Sequence, residues 1–253
     1  MSWVIKGLKT GIVTTTYPQR EERSEGVSPG LPHGGSCDEE AAKELTARCP
    51  TEALHQDEGK MIVDYSRCVH CYRCVRGVKA PASWELDYEW AKVRREALVF
   101  PGAFRHSLHI RVIDAGNCGA CLNEVKLLNN PYYNMHRLGF FITPTPRQAD
   151  VLLVVGPITD HMRTPLLKAY EAMPAPKRVM AVGACALTGG IFGPSFVSGS
   201  GAASVIPVDV EVPGCPPPPL AILHGLLMIA GRKKSSSTLK PARPSNERWE
   251  NSE

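Results

Sequence analysis

The sequence predicts an α/β fold, a parallel sheet flanked by helices, with a smaller cysteine-rich region ahead of it. Three observations carry this expectation. Between about residues 105 and 231, apolar runs closed by glycine or proline alternate with helical segments. The first 78 residues are polar, hold five of the nine cysteines and show little sustained helical periodicity. Between the two lies a stretch rich in aromatic and charged residues, with Trp84, Tyr88 and Trp90. The expected organisation is therefore a first region over 1–78, a connector over 79–105, an α/β domain over 106–232 and a disordered tail over 233–253. A chain of 253 residues has room for a sizeable core.

The net charge of +4 is too small to argue for nucleic acid or an anionic membrane surface. Met1 to Pro18 holds no long apolar stretch ending at a small-residue cleavage site, so no signal peptide is expected. Leu220 to Ala230 is too short to span a bilayer. The expected compartment is the reducing cytosol, where cysteines serve as metal ligands, nucleophiles or core residues rather than as disulfides. Much of Gln19 to Gly35 is expected to be disordered, like the Lys-, Ser- and Pro-rich tail.

In the first region, Cys68-Val-His-Cys71-Tyr-Arg-Cys74 forms a C-x2-C-x2-C run, a spacing that aims three thiolates at one iron–sulfur cluster. Two-cluster ferredoxins complete such a run with a distant Cys-Pro, and Cys49-Pro50 is such a pair. The other cluster's ligands would fall at 39, 42, 45 and 78, where the chain has Glu39, Ala42, Leu45 and Val78. All four losses fall on one ligand set. The expectation is a small ferredoxin-like α+β region that keeps one 4Fe–4S cluster on Cys49, Cys68, Cys71 and Cys74. Cys37 is left over. The competing reading is a four-cysteine zinc knuckle; His70 lies within the run, where a mixed Cys/His site could be read, but it is expected to be simply exposed.

In the second region the expected strands are Leu108 to Asp114, Ala149 to Gly156, Lys177 to Gly183, and Val205 to Val212, the last marked by proline as an edge strand. Helices are expected over Cys121 to Asn129, over Met162 to Met173, and from near Pro217 through Met228. Ligands of such sheets gather beyond the carboxyl ends of the strands. Cys118, Cys121, Cys185 and Cys215 sit in glycine-rich loops just past three of those ends, which makes one four-cysteine cluster site plausible. The competing reading is four separate core cysteines.

These loops also carry a resemblance. Cys118-Gly-Ala-Cys121-Leu-Asn-Glu124, Pro146-Arg-Gln-Ala-Asp150, Val155-Gly-Pro-Ile-Thr159, Gly183-Ala-Cys185-Ala, Gly189-Gly190 and Val212-Pro-Gly-Cys215-Pro-Pro together resemble the small subunit shared by energy-converting nickel–iron hydrogenases of the formate-hydrogenlyase type and the B-type subunit of NADH–quinone oxidoreductase (complex I). The resemblance covers roughly Ser107 to Arg232. It implies a flavodoxin-like fold and a 4Fe–4S cluster on Cys118, Cys121, Cys185 and Cys215, with a large catalytic partner subunit docked over it. The Cys118-x-x-Cys121 spacing resembles the hydrogenase branch, because complex I subunits typically place two adjacent cysteines there. Leu8-Lys-Thr-Gly-Ile-Val-Thr-Thr-Thr-Tyr-Pro resembles the opening of the ferredoxin-like subunits of the same complexes.

The functional expectation is two 4Fe–4S clusters in an electron-transfer subunit that is not catalytically complete alone. It would relay electrons between an external carrier and the large subunit, and touch membrane subunits indirectly, from the inner face of the cell membrane. Glu124 is a candidate proton relay, its alternative being a favourable charge at a helix N-terminus. The alternatives for the whole chain are a quinone-linked, nickel-free subunit and a zinc-stabilised scaffold module.

Overall fold

The computed structural model describes residues 2–57, 59–78, 82–95, 100 and 102–234. Of the expected disordered tail over 233–253, residues 235–253 lie outside the described residues, whereas Lys233 pairs with Glu89 at 2.6 Å and the Lys234 carbonyl meets His224 Nε2 at 3.2 Å. In chain order the elements are α1 (Trp3–Thr10), β1 (Leu31–His33), α2 (Glu39–Arg48), β2 (Leu54–Asp57), β3 (Lys60–Val63), β4 (Ser83–Glu85), β5 (Lys92–Val93), β6 (Leu108–Asp114), α3 (Ala120–Leu127), β7 (Phe140–Ile142), β8 (Val151–Val155), α4 (Asp160–Ala172), β9 (Arg178–Val182), α5 (Ala184–Thr188), β10 (Val210–Val212) and α6 (Pro219–Ile229).

Six strands form one sheet in the order β5-β10-β9-β8-β6-β7, parallel throughout except for β5. All five residues of β8 are buried, because helices cover both faces. Val151, Leu153 and Val155 face a core that includes α3 and α6, while Leu152 and Val154 face one that includes α4 and α5. Every residue of α6 is buried, as its apolar composition requires.

The expected strand over Val205 to Val212 is shorter and better covered than the sequence suggests. Pro207 has no N–H to give a ladder, and only Val210 to Val212 pairs. The strand is not at the edge, since β5 from the connector lines its outer side. A further strand, β7, closes the opposite edge.

The N-terminal region is more ordered than expected. In α2, Asp38 accepts the Ala41 N–H at 2.7 Å, Glu39 and Glu40 occupy the first turn, and Ala41, Ala42 and Leu45 form the buried stripe. Ten residues are too few for that stripe to stand out as a sustained period. The stretch from Gln19 to Gly35 is fixed by long-range contacts: the Glu22 N–H donates to Tyr88 Oη at 2.7 Å, Trp84 Nε1 donates to the Pro29 carbonyl at 2.6 Å, and β1 pairs antiparallel with β4. The β2–β3 hairpin lies between these outer strands in sequence.

Candidate metal-binding sites

The first site is built by α2 and the loop after β3. Cys49 is the C-cap of α2. The preceding Arg48 donates to the carbonyls of Gly77 (3.0 Å) and Arg76 (3.2 Å), which ties the end of α2 to the far side of the Cys68 to Cys74 loop. Within that loop, His70 and Tyr72 have φ of 50° and 59°, left-handed values that non-glycine residues seldom adopt. Such strain persists where surroundings fix it and where a tight turn has a purpose. Cys49, Cys68, Cys71 and Cys74 all line one cavity, with Leu54, Val63, Val69 and Trp84 among its apolar walls. Burial pushes the Cys68 thiol up to about 12, and the nearby Cys74, Cys49 and Cys71 add to the rise against the His70 N–H, which lowers it. The Ala53 N–H donates to Cys49 Sγ at 3.2 Å. Cys37 is absent from both the cavity lining and these couplings.

The second site is built on the carboxyl edge of the sheet. Parallel strands end on the same side, so the loops after β6, β9 and β10 converge there. After β6, Asp114 Oδ1 accepts the N–H groups of Gly116 (3.0 Å) and Asn117 (2.9 Å), which holds the turn that presents Cys118. Cys121 is buried in the first turn of α3. After β9 and β10 the loops are cross-linked: Gly183 N–H donates to the Val212 carbonyl and Ala184 N–H to the Gly214 carbonyl, both at 2.8 Å. Burial pushes the Cys121 thiol up to about 12, with Cys215, Cys185 and Cys118 adding to it, and the Cys185 thiol up to about 11. Cys118 is exposed.

Two glycines leave space beside these sulfurs. A Cβ on Gly183 would stand 2.5 Å from Cys121 Sγ, and one on Gly190 would stand 2.6 Å from Cys185 Sγ. Thiols drawn together and buried become thiolates when metal cations offset their burial and mutual repulsion. Four cysteines are the donor set of a 4Fe–4S cluster, so the residues present fit that group at both sites. Among the described residues no three His, Cys, Asp or Glu side chains gather closely enough to hold a single metal ion. A four-iron cluster takes its thiolates at its corners, further apart than the ligands of one ion.

Glu124 lies on α3, half-buried, with its carboxyl raised by burial. Arg147 is exposed, in the turn before β8. His70 is not exposed between the ligands, contrary to the sequence expectation. The imidazole is buried, packs edge-on against Trp84 and Trp90, and is held down to about 4 by burial, hence neutral. Sequence reasoning does not place Trp90, 1 % exposed, near either site. The only signal for it is the density of aromatics in the connector.

A family model described as NADH ubiquinone oxidoreductase, 20 Kd subunit, matches residues 118–229. The match begins at Cys118, so the first cysteine site lies outside it. The protein named Probable membrane-bound hydrogenase subunit mbhJ of Pyrococcus furiosus is 39% identical over 139 residues, which cover 55% of this chain and 82% of that protein. An NADH-quinone oxidoreductase subunit of Carboxydothermus hydrogenoformans is 40% identical over 121 residues, 47% of this chain and 73% of that protein. Formate hydrogenlyase subunit 7 of Escherichia coli is 39% identical over 127 residues, and this chain spans 50% of its length. Among solved structures, a chain of the archaeal membrane-bound sulfane sulfur reductase is 32% identical with a TM-score of 0.46, over 52% of this chain and 75% of that one. Among the described residues no helix is long and apolar enough to cross a membrane.

Proposed function

The chain belongs to the NADH ubiquinone oxidoreductase, 20 Kd subunit, family and is an oxidoreductase subunit; on that premise we propose that it relays electrons through two 4Fe–4S clusters to a large catalytic partner. The observation that carries the proposal is the gathering of eight cysteines into two separate four-cysteine sites. Cys49, Cys68, Cys71 and Cys74 would hold the distal cluster, on the side of an external electron carrier. Cys118, Cys121, Cys185 and Cys215 would hold the cluster proximal to the partner. Each cluster supplies one-electron chemistry. The chain supplies the thiolates, the dry walls and N–H donors such as Ala53 N–H, which tune potential. The β1–β4 pair with its enclosed hairpin supports a ferredoxin-like first region.

The partner covers the carboxyl edge. Beside Cys185 a loop exposes Ile191 (62%), Phe192 (56%), Phe196 (95%) and Val197 (50%), an apolar surface suited to a protein interface. The Cys118-x-x-Cys121 spacing favours a hydrogenase partner carrying nickel and iron, with the whole held peripherally on the inner face of the cell membrane. Glu124, half-buried with a raised pKa, is suited to hold a proton at that boundary. A second reading, a quinone-linked complex without nickel, is favoured by the 40% identity to the NADH-quinone oxidoreductase relative.

The test is metal content. Anaerobically purified protein should contain about eight iron and eight sulfide, falling to about half in Cys68→Ser and in Cys185→Ser. Zinc without sulfide would reduce the chain to a scaffold module. Nickel in the complex co-purified with this chain separates the two redox readings.

A further inference from the structure

The two cysteine sites meet across a junction that has Trp90 at its centre. The Trp90 Nε1–H donates to the Pro213 carbonyl at 2.7 Å, and Pro213 stands two residues before Cys215. On its other side the Trp90 ring meets the His70 imidazole edge-on, with centroids 6.1 Å apart and planes at 86°. His70 stands between Cys68 and Cys71 in the strained loop of the first site. One buried indole thus touches a residue inside one ligand run and the backbone that leads into a ligand of the other.

We infer that Trp90 is a positioning residue for electron transfer between the two sites, setting both their separation and the packed route that joins them. This rests on the two-cluster reading above. In the step itself one electron leaves a reduced cluster and enters an oxidised one. No bond forms or breaks, and no proton moves. The indole is not oxidised, since removing its electron takes a far stronger oxidant than an iron–sulfur cluster. Its role is that of a medium: electronic coupling decays more slowly through bonded and tightly packed atoms than across a gap. From His70 the route to Cys215 is one ring, one hydrogen bond and a short run of backbone.

A second link gives an internal comparison. Thr188 Oγ1 donates to the Ser66 carbonyl at 3.2 Å. Thr188 is three residues past Cys185, and Ser66 is two before Cys68. This bond also ties the two sites together, but with no aromatic ring between them. Loosening the junction and removing the Trp90 route can therefore be told apart.

The experiment uses the full chain, purified anaerobically as wild type, Trp90→Phe and Thr188→Val. Iron and sulfide are counted, the reduced clusters are compared by electron paramagnetic resonance, and inter-cluster transfer is timed after flash photoreduction. The expected result is full iron in all three and unchanged spectra for each cluster, with transfer slowed several-fold in Trp90→Phe alone. Transfer at the wild-type rate in Trp90→Phe would overturn the inference. So would equal slowing in both variants, which would assign the effect to a loosened junction. If Trp90→Phe is short of iron, Trp90→Tyr is read in its place, with slowing for the inference and a wild-type rate against it. Iron for one cluster in the wild type overturns the two-cluster reading itself, an outcome distinct from two full clusters that ignore Trp90.

Discussion

Gly183 shows how closely the second site depends on single residues. Its φ is +91°, a value that L side chains rarely adopt, and an added Cβ would stand 2.5 Å from Cys121 Sγ. Gly183→Ala therefore strains the backbone and drives the methyl group into a thiol that the cluster needs. The expected outcome is a protein that loses about half its iron, from the second site, while the first stays filled. Iron counting with resonance spectra of the remaining cluster would check this, and full iron in the variant would show that the loop can shift. The glycine is visible in the sequence as part of a Gly-Ala-Cys loop, but which sulfur it clears is not. That contact joins residues from two loops after different strands. His70 teaches the converse. A histidine between two ligand cysteines reads as exposed until Trp84 and Trp90 are seen against it.

Among the elements, β8 and β9 are legible because unbroken apolar runs closed by glycine have few other uses, and β6 because its Ile- and Val-rich residues alternate with polar ones. β10 is half legible, since the apolar run is visible but the loss of ladder bonding around Pro207 shortens it. β5 is not legible at all. Lys92–Val93 is a strand only because β10 offers it a partner, and two residues carry no period. The helix α6 makes a prediction of its own. It lies flat against the sheet, and a Cβ on Gly225 would meet Met180 Sδ at 2.8 Å and Val212 Cγ2 at 2.9 Å. Gly225→Val should push α6 away from β9 and β10 and lower stability by about 1–3 kcal/mol through overpacking. A urea titration would measure it, with an unchanged midpoint showing that the core has slack.

At the scale of the whole molecule, the connector and the C-terminal end of the described chain are drawn together by groups far apart in sequence, and His224 is the clearest of them. It is fully buried on α6. Its Nδ1 accepts the Ala91 N–H at 3.2 Å, which leaves the proton on Nε2, 3.2 Å from the Lys234 carbonyl. The imidazole thus links the connector, the last helix and the segment after it. The cysteines of each site can be grouped in the sequence from the C-x2-C-x2-C run with its Cys-Pro and from loops placed just past strand ends. This closure cannot, because its bonds span up to 133 residues. Burial lowers the His224 pKa, while the Glu89 and Asp87 carboxylates oppose that shift and the Lys233 ammonium reinforces it. The folded state therefore binds this proton less readily than the unfolded chain, whose histidine titrates near 6.5. As pH falls through that value, the unfolded state takes up a proton that the folded state refuses. Stability then drops by up to about 1.4 kcal/mol per pH unit, until the folded pKa is reached. His224→Gln offers a similar acceptor and donor but cannot titrate. Its unfolding midpoint in urea should fall less steeply than that of the wild type as pH is lowered from about 6.5 to 5. Two curves that stay parallel would show that His224 already titrates in the folded chain as it does in the unfolded one, and that the closure tolerates a charge.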